Sequence, residues 1–560
     1  MARRDLSNER RRRLTRRAAP AIGVLVVVVA LIAVIAGGGA SPAVKATRRF
    51  VSAWGRGEYL SMYRELSDGA RRQFGPRAFA ATYRYDITTA TATGIAAGRV
   101  RERNGGTEVP ITIQTRVFGP IVGRLILPMK GSKIEWSPSL AFPGLRTGEV
   151  LTRHSKPPRR AAILARDGAT IVSGPADARA ANGAGAGIAG QMGPPATPGE
   201  DAATYARGMP HGWPVGRSGL ERILEGRVAG APGGTLLAGN RVIERARPKA
   251  AHAVRTTIDL RIEGAAVSAL GGRTGGVIAL DPRTAEVRAL AGIAFSSPQP
   301  PGSTFKLVTL ASALRAHAAK PSTQYPVATH TVLDGVTLQN ADGESCGGTL
   351  EEAFVQSCNS VFAPLGVKVG AAKLVGMAER FGFNEPVPFA GARESTLPPA
   401  RQITSPLEIG SSAIGQGRVA ATPLEMAQIS QTIATGGVRY RPKIVPGPLV
   451  VARRVIDART ARTIRRLMVG VVERGTGTKA ALGPGEVAGK TGTAELESTT
   501  GPTADTSGNK SSHTDAWFTC FAPAKHPRIV VAVMLFRAGK GGDTAAPAAR
   551  SVLQAALAGR

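Results

Sequence analysis

The chain has 560 residues, 43% of them hydrophobic and 5% aromatic, and a formal net charge of +33 at pH 7. At roughly 100–200 residues per domain that length allows about three to four folding units, and the apolar share excludes global disorder. The basic excess fits anionic surroundings such as acidic lipid or an acidic polymer, or an arginine-rich soluble surface. With no DNA-reading motif and few aromatic platforms, no nucleic-acid partner is expected.

The first 17 residues carry Arg3, Arg4, Arg10, Arg11, Arg12, Arg13, Arg16 and Arg17, opposed only by Asp5 and Glu9. Residues 18–36 are uncharged and rich in Val, Leu and Ile. About 20 such residues span a bilayer as a helix, and the arginines stay on the cytoplasmic side. The expectation is a basic cytoplasmic tail over 1–17 and a single-pass transmembrane helix over 18–37, with the remainder extracytoplasmic. A cleaved signal peptide is the alternative: its apolar core is usually about 7–15 residues, but Gly38-Gly39-Ala40 would suit a peptidase.

Residues 41–150 read as a compact α+β domain. Val44, Phe50, Val51, Trp54, Tyr59, Tyr63 and Leu66 keep helical spacing from Ala43 to Leu66, and Ile111–Thr115 and Gly123–Leu127 alternate as strands. Residues 151–254 form a weaker region in which Gly174–Gly199 reads as a Gly/Ala/Pro-rich loop between short ordered pieces. From 255 to 560 the signal strengthens. A helix is predicted over Leu260–Leu270, and a hairpin over Gly276–Leu280 and Glu286–Leu290 around Asp281-Pro282-Arg283-Thr284. Helices follow over Phe305–Ala316, Leu350–Leu365 and Pro423–Thr435, then strands near Val487–Ala494, Asp515–Phe521 and Arg528–Phe536, and a last helix over Ala546–Leu557. Strands, then helices, then strands imply one sheet whose halves are distant in sequence.

Three short motifs carry the chemistry. Ser303 and Lys306 sit three apart after Pro300-Pro301-Gly302, where a helix begins. Residues i and i+3 share a helix face, so the amine can reach the hydroxyl and activate it as a nucleophile once its own pKa is lowered. Ser357-Cys358-Asn359 offers a hydroxyl for proton relay and an amide for substrate. Lys490-Thr491-Gly492-Thr493 lies in strand-like sequence; Gly492 would let a peptide backbone approach, and Lys490 would be the second cation that favours a neutral Lys306. Each motif alone is weak; the three in this order are a known set of penicillin-recognising serine enzymes.

Residues 255–560 resemble the transpeptidase domain of class B penicillin-binding proteins. Thr257-Ile258-Asp259-Leu260, Ile414-Gly415-Gln416-Gly417, Ala421–Ala427, Gly436-Gly437, Arg441-Pro442, Ala516-Trp517-Phe518 and Phe521-Ala522-Pro523 add to the likeness. Residues 41–150 are similar, more loosely, to the nuclear-transport-factor-like domain of some members. Arg160–Gly168 and Ser218–Glu221 are similar to pieces of the family's pedestal, or dimerisation, domain, expected here over 151–254. Ala161 stands where the family usually has glycine.

The resemblance implies a multidomain chain: a transmembrane helix, an α+β cone-shaped domain, a small pedestal, and an α/β transpeptidase fold whose antiparallel sheet is flanked by helices. It implies a bacterial serine D,D-transpeptidase that cross-links peptidoglycan stem peptides ending in D-Ala-D-Ala and is a β-lactam target. Ser303 is then the nucleophile, Lys306 the base, Ser357 the relay, Asn359 a substrate-amide ligand and Lys490 the partner of Ser357. Thr491, Gly492 and Thr493 bind substrate, and backbone N–H groups of Ser303 and Thr493 form the oxyanion hole. No metal or organic cofactor is implied, and a membrane glycosyltransferase is the expected partner. A D,D-carboxypeptidase or β-lactam-hydrolysing enzyme, and a non-catalytic β-lactam-binding scaffold, are the alternatives. Cys358 reads first as a small buried residue, with a disulfide to Cys346 as the second reading, and Cys520 reads as buried and inert.

Overall fold

The computed structural model describes residues 40–496 and 513–558. The predicted tail over 1–17 and helix over 18–37 lie outside the described residues. Among the described residues no single helix is long and apolar enough to cross a membrane. The chain divides into two compact units, and residues 151–254 contribute to both. The first unit comprises Met1–Pro158, Ala196–Trp213 and Ala231–Lys249; the second comprises Arg159–Pro195, Pro214–Gly230 and Ala250–Arg560.

In the first unit, Ser41 caps a helix over Pro42–Gly55 that buries Val44, Phe50, Val51 and Trp54. The helical stretch expected over 43–66 is broken. Gly57 adopts φ +71°, the left-handed conformation that ends helices, and a second helix, Tyr59–Arg64, starts after it. Strands Ala92–Ala97, Gly106–Thr115, Gly119–Lys130 and Lys133–Ile134 form an antiparallel sheet. Val109, Ile111 and Ile113 point to the interior at the period of two that a half-buried strand requires. Their core includes an aromatic cluster of Trp54, Phe79, Tyr83 and Trp136.

The second unit is built on a five-stranded antiparallel sheet. Its strands are β1 (Gly275–Leu280), β2 (Val287–Gly292), β3 (Ala488–Glu495), β4 (Thr514–Ala522) and β5 (Ile529–Leu535), in spatial order β2-β1-β5-β4-β3. Distant segments therefore meet in one sheet, as the strand order in sequence implied, and β3 is an edge. Both faces are covered, which is why β1 and β5 are apolar at every position. Val277, Ala279, Val531 and Val533 pack in the same apolar cluster as helices α1 (Leu260–Leu270) and α7 (Ala546–Ala558). Ile278, Leu280, Val530 and Ala532 belong to a second cluster on the other face. That cluster holds α2 (Lys306–Arg315), α3 (Leu350–Val355), α4 (Asn359–Val369), α5 (Pro423–Ala434) and α6 (Ala458–Arg474).

Two further expectations differ from the structure. Gly174–Gly199 is not a featureless loop: Ala180–Ala181 pairs with Thr170–Ser173, and Ile188 and Ala189 of a short helix are buried in the core, an apolar anchor too brief to show a period. The single helix expected over 350–365 is two helices, α3 and α4, split at Ser357.

Candidate active site

The nucleophile motif is wedged between two backbones. Gly302–Phe305 is one turn of 3-10 helix that runs directly into α2. Gly302 adopts φ +50°, and a side chain there would meet Thr493 O at 2.5 Å. Its N–H donates to Gly415 O at 3.0 Å. From the β3 side, a side chain at Gly492 would meet Pro301 O at 2.7 Å and Thr304 Cγ2 at 2.9 Å. Glycine is required at both places because nothing larger fits between the turn and the strand. The result sets half-buried Ser303 beside β3, with Lys306 fully buried one turn on.

The second motif owes its shape to a left-handed serine. Val355 ends α3, Ser357 adopts φ +64°, and the Cys358 N–H returns to Ala353 O at 2.8 Å before α4 opens at Asn359. A non-glycine residue in this conformation costs roughly 1–2 kcal/mol, so surrounding contacts must hold it. Cys358 is disulfide-bonded to Cys346, with the Cα atoms 5.9 Å apart, so the isolated buried thiol gives way to the second reading. Asn359 Nδ2 donates to Gln339 O at 2.7 Å, and Ser360 N donates to Asn340 Oδ1 at 2.8 Å. Cys520 is unpaired and fully buried.

The three motifs converge on one hydroxyl. Lys306 Nζ lies 2.5 Å from Ser357 O, 2.7 Å from Asn359 Oδ1 and 3.3 Å from Ser357 Oγ. Lys490 Nζ donates to Ser357 Oγ at 2.8 Å and to Thr491 O at 3.1 Å. Among the described residues the Ser303 hydroxyl is not one of the hydrogen-bond partners of Lys306. The faces of Phe362 and Phe354 lie 5.6 Å from Nζ of Lys306 and of Lys490, respectively. Burial, reinforced by the charge of Lys490, holds the Lys306 amine well below the usual lysine range. Burial alone pushes Lys490 down to about 7.

The lowered pKa favours the neutral form of Lys306. A neutral Lys306 amine has two N–H donors and one lone pair. Ser357 O and Asn359 Oδ1 take the donors, and the Ser357 hydroxyl can turn its proton to the lone pair while its oxygen accepts from Lys490. Lys306, Ser357 and Lys490 thus form one hydrogen-bonded chain.

Lys490 and Gly492 face the Ser303 and Ser357 segments. Thr491 Oγ1 lies 2.5 Å from Thr476 Oγ1, and Thr493 Oγ1 accepts from Gly541 N–H at 3.3 Å. Thr476, Gln339, Phe354, Phe362 and Gly541 were not singled out from the sequence. Each acts through its place in the fold, and no local pattern marks it.

Residues 275–554 match the family described as the penicillin binding protein transpeptidase domain. The chain is similar to the peptidoglycan D,D-transpeptidase PbpA of Mycolicibacterium smegmatis, 39% identical over 289 residues that cover 47% of this chain and 56% of that protein. It thus spans about half the length of the curated relatives it matches. Its fold is similar to that of penicillin-binding protein A from M. tuberculosis in a penicillin G acyl-enzyme complex. That match has a TM-score of 0.57 and 28% identity, and covers 71% of this chain and 100% of that one. It is also similar to the D,D-transpeptidase domain of a peptidoglycan glycosyltransferase from Eggerthella lenta, with a TM-score of 0.58 and 29% identity, covering 72% and 98%. A match over half the chain, anchored by these relatives, establishes that the chain belongs to the class B penicillin-binding proteins.

Proposed function

We propose that this protein is a serine D,D-transpeptidase that cross-links peptidoglycan and is acylated by β-lactams. The observation that carries the reading is the pair of buried lysines flanking Ser357 Oγ, at 2.8 Å and 3.3 Å, next to the turn that presents Ser303. A neutral Lys306 accepts the proton of Ser303 as its oxygen attacks the carbonyl of the penultimate D-Ala. The N–H groups of Ser303 and Thr493 face the developing oxyanion. The C–N bond breaks, Ser357 passes the proton to the departing D-Ala amine, and an acyl ester on Ser303 remains. The amine of a neighbouring stem peptide then attacks the ester, gives up a proton along the same path and frees Ser303.

The edge position of β3, with no further strand paired beyond it among the described residues, suits a substrate that is itself an extended peptide. Thr491 and Thr493 are the contacts for the terminal carboxylate, and Asn359 for the substrate amide. We further propose that residues 18–37 anchor the chain in the bacterial cytoplasmic membrane with the N-terminus inside. Residues 41–150 then form a nuclear-transport-factor-like domain, and a membrane glycosyltransferase supplies the glycan strands. Two measurements test the enzymatic reading. Fluorescent penicillin should label the wild type and not Ser303→Ala. A pentapeptide donor with an amine acceptor should give a cross-linked product by mass spectrometry; tetrapeptide alone would mean a carboxypeptidase, and no labelling would remove the reading altogether.

A further inference from the structure

We propose that the Cys346–Cys358 disulfide is a positioning element of the acyl-transfer centre: it holds the Ser357–Asn359 turn out of continuous helix, so the site is armed only in the oxidised state. The inference rests on the transpeptidase reading above.

Cys358 is the middle residue of the turn, and both its neighbours touch Lys306: Ser357 through O and Oγ, Asn359 through Oδ1. The local sequence works against this turn. Leu350–Leu365 has the pattern of one uninterrupted helix, and the capping box of Thr349 and Glu352 starts that helix firmly. Continuing α3 through 356–358 would remove the left-handed Ser357 and carry the Asn359 amide and the Ser357 oxygens away from Lys306.

The far end of the disulfide is held by strand pairing upstream of that helix. Cys346 begins the strand Cys346–Thr349, which pairs antiparallel with Gln324–Ala328, Cys346 lying opposite Ala328. Asn340 reinforces this corner, donating from Nδ2 to Ala328 O at 2.8 Å and to Glu344 O at 2.9 Å. Cys358 is fully buried, whereas Cys346 is partly exposed, so a thiol reductant can reach the bond from the strand side. A dithiol such as dithiothreitol would transfer two electrons and two protons. The S–S bond breaks, two thiols form, and the reductant closes to its own disulfide. The chain has three cysteines, so the reductant has one intramolecular disulfide to act on.

The test compares the folded full-length protein, oxidised and after dithiothreitol, for acylation by fluorescent penicillin across pH 5–9. Cys346→Ser and Cys358→Ala are measured alongside, with thermal unfolding of each. Reduction and Cys346→Ser are expected to lower the acylation rate about 10²-fold, the scale of a misplacement near 1 Å. They should also move the acid limb of the pH profile, because Lys306 loses Ser357 and Asn359 as partners. Reoxidation should restore the rate of the reduced wild type. Equal rates and superimposable pH profiles for oxidised and reduced protein overturn the inference. A loss of activity with an unmoved pH profile also overturns it, reducing the bond to a general stabiliser. An oxidised wild type that penicillin does not label strikes instead at the transpeptidase reading.

Discussion

Nζ of Lys490 lies 2.8 Å from Oγ of Ser357 across 133 positions of sequence, and that contact ties the edge strand to the turn between α3 and α4. Its protonation should be visible in the pH dependence of acylation. Activity needs a neutral Lys306, so the rate should rise with pH through the depressed pKa of that amine. It should then fall as Lys490, with a pKa of about 7, loses the proton it shares with Ser357. Lys490→Arg keeps a cation at all working pH, so its profile should lose the alkaline limb even though the rate drops. Stopped-flow acylation of both proteins between pH 5 and 10 checks this; an alkaline limb that persists in the variant would assign it to another group.

Gly492→Ala should slow acylation without unfolding the protein. The added methyl would press on Pro301 O and Thr304 Cγ2 and push the Ser303 turn off β3. A shift of order 1 Å in the nucleophile corresponds to about 10²-fold in rate. The second-order acylation constant and the melting temperature, taken together, separate this from a global effect.

A buried ion-pair cluster gives a stability prediction. Arg160 Nε donates to Glu221 Oε2 at 2.7 Å, and its NH2 to Glu225 Oε2 at 2.7 Å, while Arg179 Nε donates to Glu221 Oε1 at 2.6 Å. Arg160 and Glu221 are both almost fully buried. Arg160→Met leaves the carboxylates under-compensated and should cost roughly 3–5 kcal/mol, measured by urea unfolding. A loss under about 1 kcal/mol would mean that Arg179 alone satisfies Glu221.

Glu263 should penalise the fold more as pH rises. Its Oε2 accepts from Leu290 N–H at 2.6 Å, its other oxygen is buried without a partner among the described residues, and burial pushes its pKa to about 7. Below about pH 4.5 the acid is protonated in both folded and unfolded chains and costs nothing. Above about 7 the folded state must hold a buried carboxylate, and the penalty is complete. Glu263→Gln removes the charge and retains an acceptor for Leu290, so it should stabilise the protein at pH 8 by about 3 kcal/mol. The gain should vanish at pH 4.5; equal gains at both pH values would place the effect in packing.

The sequence made the sheet and the motifs legible because both are written locally. Leu260–Leu270 is helical at the predicted bounds, and the strands flanking Asp281–Thr284 pair as a hairpin. Ser303, Lys306, Ser357, Asn359 and Lys490 were recognisable as residue types at fixed spacings. What could not be read is where tertiary contact overrules local preference. The helical pattern of Leu350–Leu365 gives no sign of the break at Ser357, because the restraints come from Lys306, Lys490 and Cys346. Thr476 is invisible for the same reason: it matters only because the fold sets it 2.5 Å from Thr491. The left-handed φ of Gly57, inside a stretch with helical spacing, shows only in three dimensions.

The way the polypeptide is threaded through the two units also bears on how such a protein can change over time. The backbone passes from one unit to the other after Pro158, Pro195, Trp213, Gly230 and Lys249. Neither body is a contiguous gene segment, so recombination at any one of these joints would divide at least one of the two units. Exchange of either unit between relatives therefore demands several coordinated crossovers, and point substitution is left as the main route by which the two units can diverge.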